Sequence, residues 1–294
     1  MSIPTPDETV ILPVKITVRP YLHDHRFEGN SVFPAVEAMQ VLAQTVKKFA
    51  PRIDITVCRG ASFDKFLVVD PGTKDINALC RISILENTDV TAVLQTKTRL
   101  KSASFTRTKE HVIVNFPRVK PQVDNYSDKA LCLLGTDCLE ISPGQIYSEL
   151  VPFGPAYHNI SQNLAIGKDG ALAIIRAPGF SVPVDKDLRL GSPFVLDAAF
   201  HAACVWGQRY SGIVAFPVAV DRRIIARPTQ PGDTYRCKVI PTGNEPGLLT
   251  FDIFIFDEDN TFFESACGVR MRDVSAGRMK PPAWIIEPEE HNDQ

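Results

Sequence analysis

Residues 25–49 read HRFEGNSVFPAVEAMQVLAQTVKKF, a histidine and a turn followed by an apolar helix. Gly29 suits a position where the backbone must turn tightly or approach a ligand closely. Pro34 suits the first position of a helix, where its missing N–H costs nothing. We therefore predict a helix over residues 34–49, with the titratable imidazole of His25 presented just ahead of its N-terminus. The apolar residues recur with helical spacing at Val36, Met39, Leu42, Ala43 and Val46.

A second long helical stretch covers residues 192–208, which read SPFVLDAAFHAACVWGQ. Ser192 is predicted to be the N-cap of this helix and Pro193 its first residue. Asp197 and His201 lie four residues apart, so they share one face of the helix. Each half of the chain thus contributes a group with acid–base chemistry.

The segments around each long helix alternate between apolar and polar residues, as strands do. Because the same order of elements occurs twice, the pattern predicts a duplicated α+β unit. We also predict a short helix over residues 142–150, a linker over 118–137 and a poorly ordered charged tail after Val274. The predicted strands cover residues 8–19, 54–57, 62–69, 75–86, 89–100 and 111–116 in the first half, and 171–177, 213–220, 234–240, 248–256 and 262–272 in the second.

Composition excludes several classes of function. The 294 residues include 32 basic and 34 acidic side chains, and no basic stripe is present, which argues against nucleic-acid binding. No apolar run approaches the roughly 20 residues that a membrane-spanning helix needs. The N-terminus lacks the features of a secretory signal, and the seven cysteines are spread singly, so we expect reduced thiols in a cytoplasmic protein. His23, Asp24 and His25 are too few ligands to indicate a zinc site.

Three short motifs in this order resemble those of polyketide synthase dehydratase domains. The first is H-x-x-x-G-x-x-x-x-P at His25, Gly29 and Pro34. The second is FGPAY at residues 153–157, which is similar to the family's Y-G-P-x-F, and the third is DAAFH at residues 197–201, which is similar to D-x-x-x-Q/H. The likeness covers roughly residues 8–275.

The resemblance implies an α+β double hot-dog fold, in which each half wraps an antiparallel sheet around its long helix. Residues 1–130 would form the N-terminal hot-dog with the histidine motif. Residues 131–294 would form the C-terminal hot-dog with the aspartate motif, and together the two would make one pseudo-dimeric catalytic domain. In the family, the histidine and the aspartate meet across a substrate tunnel. Carried over, His25 becomes the base and Asp197 the acid.

The same resemblance suggests residues that contact the substrate. Phe153 stands where the family usually has tyrosine, so a hydroxyl that could bond the aspartate or the substrate is missing or moved. For Asp197 to hold a proton, burial must outweigh the helix macrodipole, which favours the ionised form. The turn at Gly29 and the helix N-terminus behind it are candidate donors to an enolate oxygen. The predicted substrate-binding residues are Gly29, Pro34, Gly154, Pro155, Tyr157, His201 and Phe216, and the other histidines His111, His158 and His291 are assigned to surface or structural positions.

The implied reaction is loss of water from a 3-hydroxyacyl thioester to give a trans-2-enoyl thioester. It needs no cofactor of the protein itself, since an acyl carrier protein delivers the substrate on its phosphopantetheine arm. We expect a polyketide or fatty-acid synthase assembly as context, with the domain acting in trans or as an excised part, and a homodimer. Two alternatives stay open: a double-bond isomerase or product-template-like cyclase on the same fold, and a non-catalytic protein that binds acyl chains.

Overall fold

The computed structural model describes residues 9–84, 89–99, 106–118, 130–131, 134–180 and 190–286. The helices are α1 (Ala35–Phe49), α2 (Pro143–Gln145), which continues into one π-helical turn (Ile146–Leu150), and α3 (Pro193–Ser211), and two 3-10 turns cover Pro20–Asp24 and Pro155–Tyr157. The strands are β1 (Thr9–Thr17), β2 (Arg26–Phe27), β3 (Asn30–Ser31), β4 (Val57–Ser62), β5 (Asp75–Ile84), β6 (Val90–Arg99), β7 (Thr106–Phe116), β8 (Leu139–Ile141), β9 (Leu164–Gly167), β10 (Gly170–Arg176), β11 (Phe216–Ile225), β12 (Thr234–Glu245), β13 (Leu248–Phe256) and β14 (Phe262–Arg272).

Twelve of these strands form one antiparallel sheet, in the order β1-β5-β6-β7-β4-β11-β14-β13-β12-β10-β9-β8. The pairing of β4 with β11, which sets Ala61 opposite Val220, joins the strands of the first half to those of the second. Helix α1 packs on β5, β6 and β7, while α3 packs on β9 to β13, and the two helices contact each other. The helices therefore bring residues of both halves to one shared core.

The two long helices form where the sequence predicts them. All five residues of the apolar stripe on α1 are buried, and the helix stops at Ala50, before Pro51. It begins at Ala35 with Pro34 as N-cap, one residue later than predicted. Ser192 is the N-cap of α3 as predicted, but its side chain makes no capping bond.

Two predicted strands, over residues 54–57 and 62–69, are wrong and are replaced by the single strand β4. Thr56 lies in a turn, where its backbone N–H and its hydroxyl both donate hydrogen bonds to the carboxylate of Asp54. Residues 67–69 hydrogen-bond instead to residues 31–33, where Phe33 N–H donates to Leu67 O and Val69 N–H to Ser31 O, both at 2.8 Å. This loop is therefore fixed to the segment that follows the histidine.

The predicted disorder after Val274 is also wrong for the described residues. Ile285 is fully buried, and the indole N–H of Trp284 donates to a carboxylate oxygen of Glu149 at 2.7 Å. The charged composition of this segment favours disorder, but the contacts of Trp284 and Ile285 hold it on the rest of the protein. Strands β8 and β9 were missed because three or four residues are too few to show alternation. Most of the predicted linker and His291 lie outside the described residues.

Within the described residues, no helix combines the length and the apolar character needed to cross a membrane.

Candidate active site

His25 lies directly after the 3-10 turn Pro20–Asp24, at the start of the β2–β3 hairpin. Its backbone carbonyl accepts a bond from Val32 N–H at 2.9 Å, and its ring Nδ1 lies 2.9 Å from Val32 O. A carbonyl oxygen can only accept, so Nδ1 carries the proton of the neutral ring. The lone pair of the neutral imidazole is therefore on Nε2, which is the atom that faces Asp197.

Asp197 is the fifth residue of α3, and its carboxylate lies between two imidazoles. Its Oδ1 lies 3.8 Å from Nε2 of His25, and its Oδ2 lies 3.2 Å from Nε2 of His201. Neither Oδ2 nor His201 Nε2 has another partner in the described part of the chain. All three side chains are at most 12% exposed. The structure thus brings the predicted base His25, the predicted acid Asp197 and the predicted substrate-binding residue His201 together in a buried cluster.

The pKa values of the pair at 3.8 Å are both shifted downwards. Burial lowers the pKa of His25 below 6.5, against the opposing effect of the Asp197 carboxylate. Burial raises the pKa of Asp197, but the interactions with His201 and His25 outweigh it and hold that pKa below its usual range. At neutral pH the free protein therefore has a neutral His25 beside an ionised Asp197. The expectation that burial alone keeps Asp197 protonated does not agree with this balance.

A narrow cavity opens beside these residues, and its wall is mostly apolar. Its polar groups come from His25, Asp197 and His201 at one part of the wall and from His111 and Lys65 at another. Helix α3 supplies Phe200 and Cys204, about one and two turns beyond the aspartate. An apolar wall with a few convergent polar groups is the usual form of a small-molecule site. The remaining lining residues are Val32, Phe33, Ala35, Ala38, Phe63, Phe66, Leu67, Leu94, Val112, Val151, Pro152, Phe153, Ala215, Phe216, Pro217 and Met271.

Of the predicted substrate contacts, His201 and Phe216 line this cavity. The other five lie outside the set of residues that line it, and their contact with substrate stays a prediction. Gly29 has φ +79° in the exposed β2–β3 turn, so it shapes that turn instead of the cavity. Gly154 packs so closely on Asp24 that a Cβ at position 154 would lie 2.6 Å from the Asp24 carboxylate. The backbone N–H of Gly154 donates to the backbone carbonyl of Asp24. The others are Pro34, Pro155 and Tyr157.

The central motif supplies rings to the site and one hydroxyl to a different carboxylate. The ring of Phe153 stacks on His25 with centroids 4.4 Å apart and planes 14° apart. The hydroxyl of Tyr157 donates to Glu37 at 3.2 Å, away from Asp197. The hydroxyl near His201 comes from Tyr147 in the π-helical turn, 3.4 Å from His201 Nδ1. The hydroxyl absent at Phe153 is therefore not restored by Tyr157.

Sequence reasoning missed Lys65 and His111 as wall residues. His111 is buried. Its Nε2 lies 2.8 Å from the Thr96 hydroxyl, and its Nδ1 lies 3.2 Å from the backbone carbonyl of Lys65. The reading of residues 62–69 as a strand concealed the loop that carries Lys65. The pattern FDKFL between two strands was the available signal, because aromatic residues flank a cation there.

Comparison with protein families addresses the second half of the chain directly. Residues 139–281 match the family model described as the polyketide synthase dehydratase N-terminal domain. This region is thus similar to the polyketide synthase dehydratase family. The match includes the FGPAY and DAAFH motifs, so the resemblance on which the site was predicted is confirmed.

Solved structures extend the likeness to both halves of the chain. A trans-AT polyketide synthase dehydratase domain from Brevibacillus brevis superposes with a TM-score of 0.69 at 21% identity, over 90% of this chain and 93% of that one. The dehydratase domain of PpsC from Mycobacterium tuberculosis, in complex with C12:1-CoA, gives 0.66 at 17% identity, over 90% and 93%. The bifunctional dehydratase-cyclase domain in ambruticin biosynthesis gives 0.67 at 13%, over 90% and 92%. These likenesses confirm the predicted double hot-dog fold.

A curated relative is a polyunsaturated fatty acid synthase polypeptide from Thraustochytrium sp. (strain ATCC 26185 / S-3). It is 26% identical over an alignment of 231 residues that covers 75% of this chain. The chain spans only 8% of that protein's length. The likeness therefore supports a synthase context for the domain.

Proposed function

We propose that the chain removes water from a 3-hydroxyacyl thioester, carried on the phosphopantetheine arm of an acyl carrier protein, to give a trans-2-enoyl thioester. The observation that carries this proposal is the pair of His25 Nε2 and Asp197 Oδ1, 3.8 Å apart at the wall of an apolar cavity. Elimination of water needs a base at C2 and an acid at the C3 hydroxyl. A histidine with a free Nε2 lone pair and a neighbouring carboxyl suits both tasks.

In the first step, His25 Nε2 takes the C2 proton, and the electron pair of the C2–H bond moves onto the thioester as an enolate. Val32 O holds the Nδ1–H of the resulting imidazolium. The ionised Asp197 beside it stabilises that positive charge. The N–H groups of the first turn of α1 have no partners within the helix, and Ala35 lies on the cavity wall, so this turn is placed to stabilise the enolate oxygen.

In the second step, the proton moves from His25 to Asp197 and from Asp197 to the C3 oxygen. The C3–O bond breaks, water leaves, and the enolate electrons form the C2–C3 double bond. The proton taken from C2 ends on the departing water, so the pair returns to its starting state without a net gain or loss of protons. In this sequence His25 is the base and Asp197 is the group that acts as the acid, although it starts ionised.

The cavity favours an acyl chain as substrate. Apart from the acid–base groups, its wall is built largely from aliphatic and aromatic side chains such as Phe63, Leu94 and Met271. The similar PpsC domain was solved with C12:1-CoA, which supports a thioester of this class. The chain would work without a cofactor of its own, within a polyketide or polyunsaturated fatty-acid synthase assembly, as a cytoplasmic homodimer whose protomers contain the two hot-dogs 1–130 and 131–294.

A second candidate is an isomerase or cyclase that uses the same pair. The likeness to the bifunctional dehydratase-cyclase domain favours it, because one fold can host both reactions. Isomerisation would move a proton between two carbons of an enoyl thioester through His25, without loss of water. A non-catalytic acyl-chain binder is disfavoured by the presence of both His25 and Asp197 in one buried cluster.

The test is mass spectrometry of 3-hydroxyacyl carrier-protein thioesters of several chain lengths. Wild type is expected to remove the mass of one water, and His25→Ala and Asp197→Asn are each expected to abolish that loss. His23→Ala is the matched control, since His23 lies in the same turn but lines a surface groove instead of the cavity. No water loss from folded wild type would exclude the dehydratase. Rearrangement of an enoyl substrate without loss of mass would identify the isomerase.

A further inference from the structure

Glu37 is a buried carboxyl that the proposed reaction does not use. It lies in the first turn of α1 and is only 6% exposed. Its two oxygens accept hydrogen bonds from two tyrosines, Oε1 from Tyr157 at 3.2 Å and Oε2 from Tyr21 at 3.0 Å. A buried carboxyl is costly unless hydrogen bonds satisfy it, so the two hydroxyls and Glu37 depend on one another.

The tyrosines come from separate segments, and one of them touches the base. Tyr21 lies in the 3-10 turn that precedes His25, and Tyr157 ends the central FGPAY motif. The ring of Tyr157 lies 5.0 Å from the ring of His25 and 5.0 Å from that of Phe194, one turn ahead of the aspartate in α3. Tyr21 instead contacts the rings of Tyr157, Phe180 and Phe194. Of the two tyrosines bound to Glu37, Tyr157 is therefore the one that links this carboxyl to the His25 ring.

We propose that Glu37 is a positioning residue of this centre: its carboxyl holds the Tyr157 hydroxyl and thereby fixes the Tyr157 ring against the imidazole of His25. The proposal rests on the proposed function for its kinetic consequence, but its structural consequence is independent of it. Phe153 covers one face of the imidazole at 4.4 Å, and Tyr157 packs at 59° to the ring plane. With Nδ1 held by Val32 O, these two rings leave His25 a single orientation.

The protonation state of Glu37 also affects the pair of His25 and Asp197. Burial raises the pKa of Glu37 to about 8, the bonds from Tyr21 and Tyr157 oppose that rise, and the charge of Asp197 adds to it. The groove on the other side of Glu37 is lined by Lys15, Arg19 and Lys48. A change of ionisation at Glu37 would therefore be felt by Asp197, and the hydrogen bonds of both tyrosines would rearrange with it.

Three variants separate positioning from bulk stability. Glu37→Leu removes both acceptor oxygens while keeping a side chain of similar size, and Tyr157→Phe removes the hydroxyl while keeping the ring. Both are expected to lower kcat about tenfold, the effect of losing one buried hydrogen bond in the transition state, with KM nearly unchanged. Tyr21→Phe is the matched control: it removes a bond to the same carboxyl from a ring that contacts the centre through Tyr157, and we expect kcat to change less than about threefold.

The second readout is the NMR titration of the His25 imidazole, assigned by comparison with His25→Ala. Glu37→Leu and Tyr157→Phe are expected to shift its ring resonances and its titration midpoint, and Tyr21→Phe to leave them nearly unchanged. In the double variant the loss of kcat should not exceed that of the worse single variant, because both remove one interaction. Additive losses, or an unchanged His25 titration in folded Tyr157→Phe, would overturn the proposal. If wild type removes no water, the proposed function fails while the titration still tests Glu37.

Discussion

At the scale of single residues, the tautomer of His25 is set by a main-chain atom. Its Nδ1–H donates to Val32 O, so the neutral ring must present Nε2 to the cavity. No side-chain substitution at position 32 removes this acceptor. The carboxylate of Asp197, by contrast, acts on the charge of the ring and not on its tautomer, and the two effects can be measured separately.

The direction of the His25 pKa predicts the pH dependence of turnover. Burial lowers this pKa below 6.5, and the proposed base must be neutral. Activity is therefore retained as the pH falls from about 8 to 6.5 and lost only below that, as His25 becomes protonated in the free enzyme. The measurement is kcat/KM against pH. Activity that falls as the pH rises from about 6 to about 8 would show instead that Asp197 must start protonated.

The variant Asp197→Asn provides the control for that assignment. The carboxylate raises the pKa of His25, so its removal should lower the midpoint of the His25 titration further, even though the variant is expected to be inactive. An upward shift would mean that the carboxylate does not act on the imidazole through its charge.

At the scale of elements, the described segment after β14, residues 273–286, links distant parts of the molecule. We call this segment the strap. Arg278 makes two bonds to the carboxylate of Glu28 in the turn after His25, at 2.7 and 2.9 Å. Further along, Arg209 donates to Ile285 O, and Trp284 donates to Glu149. The strap thus links the histidine turn of the first half to the π-helical turn of the second.

Neighbouring isoleucines in this strap offer a matched stability test. Ile285 is fully buried, whereas Ile286 is 42% exposed. Ile285→Ala is expected to lower the free energy of unfolding by about 2–5 kcal/mol, because it removes buried methyl groups and leaves a cavity. Ile286→Ala should change it by less than about 0.5 kcal/mol. Equal effects in chemical denaturation would contradict the observed docking of the strap.

Long elements could be predicted from sequence, and short or tertiary ones could not. Helical spacing and the two prolines located α1 and α3, since these signals are local. The loop after β4 and the strap depend on partners far away in the chain, such as Ser31 for Val69 and Glu149 for Trp284. The cluster of His25, Asp197 and His201 was predicted through motif resemblance, whereas the contacts of Glu37 have no local pattern.

At the scale of the whole molecule, the continuous sheet carries a buried ion pair between its adjacent strands β11 and β14. Arg223 on β11 donates to Glu264 on β14 at 2.7 Å, and the two side chains are 6% and 1% exposed. The same two strands carry an exposed pair, Arg270 and Asp221, at 2.9 Å. The chain therefore contains two ion pairs on the same strands that differ mainly in burial.

Breaking the buried pair should cost far more than breaking the exposed one. Glu264→Gln leaves the Arg223 charge buried without its counter-charge, and we expect a loss of about 3–5 kcal/mol in the free energy of unfolding. Asp221→Asn should cost at most about 1 kcal/mol, since water screens that pair. The measurement is denaturant unfolding of both variants. A similar loss in the two would mean that burial does not control these pairs.

The two long helices also differ in what they contribute at matching positions. Asp197 and His201 are the fifth and ninth residues of α3, and the fifth and ninth residues of α1 are Met39 and Ala43, both buried and apolar. Two identical units would have placed an acid at each of two symmetric positions. The two helices therefore carry different chemistry at the same distance from their first residues: within the described residues, α3 supplies the acid–base side chains Asp197 and His201, whereas α1 supplies apolar packing at those positions.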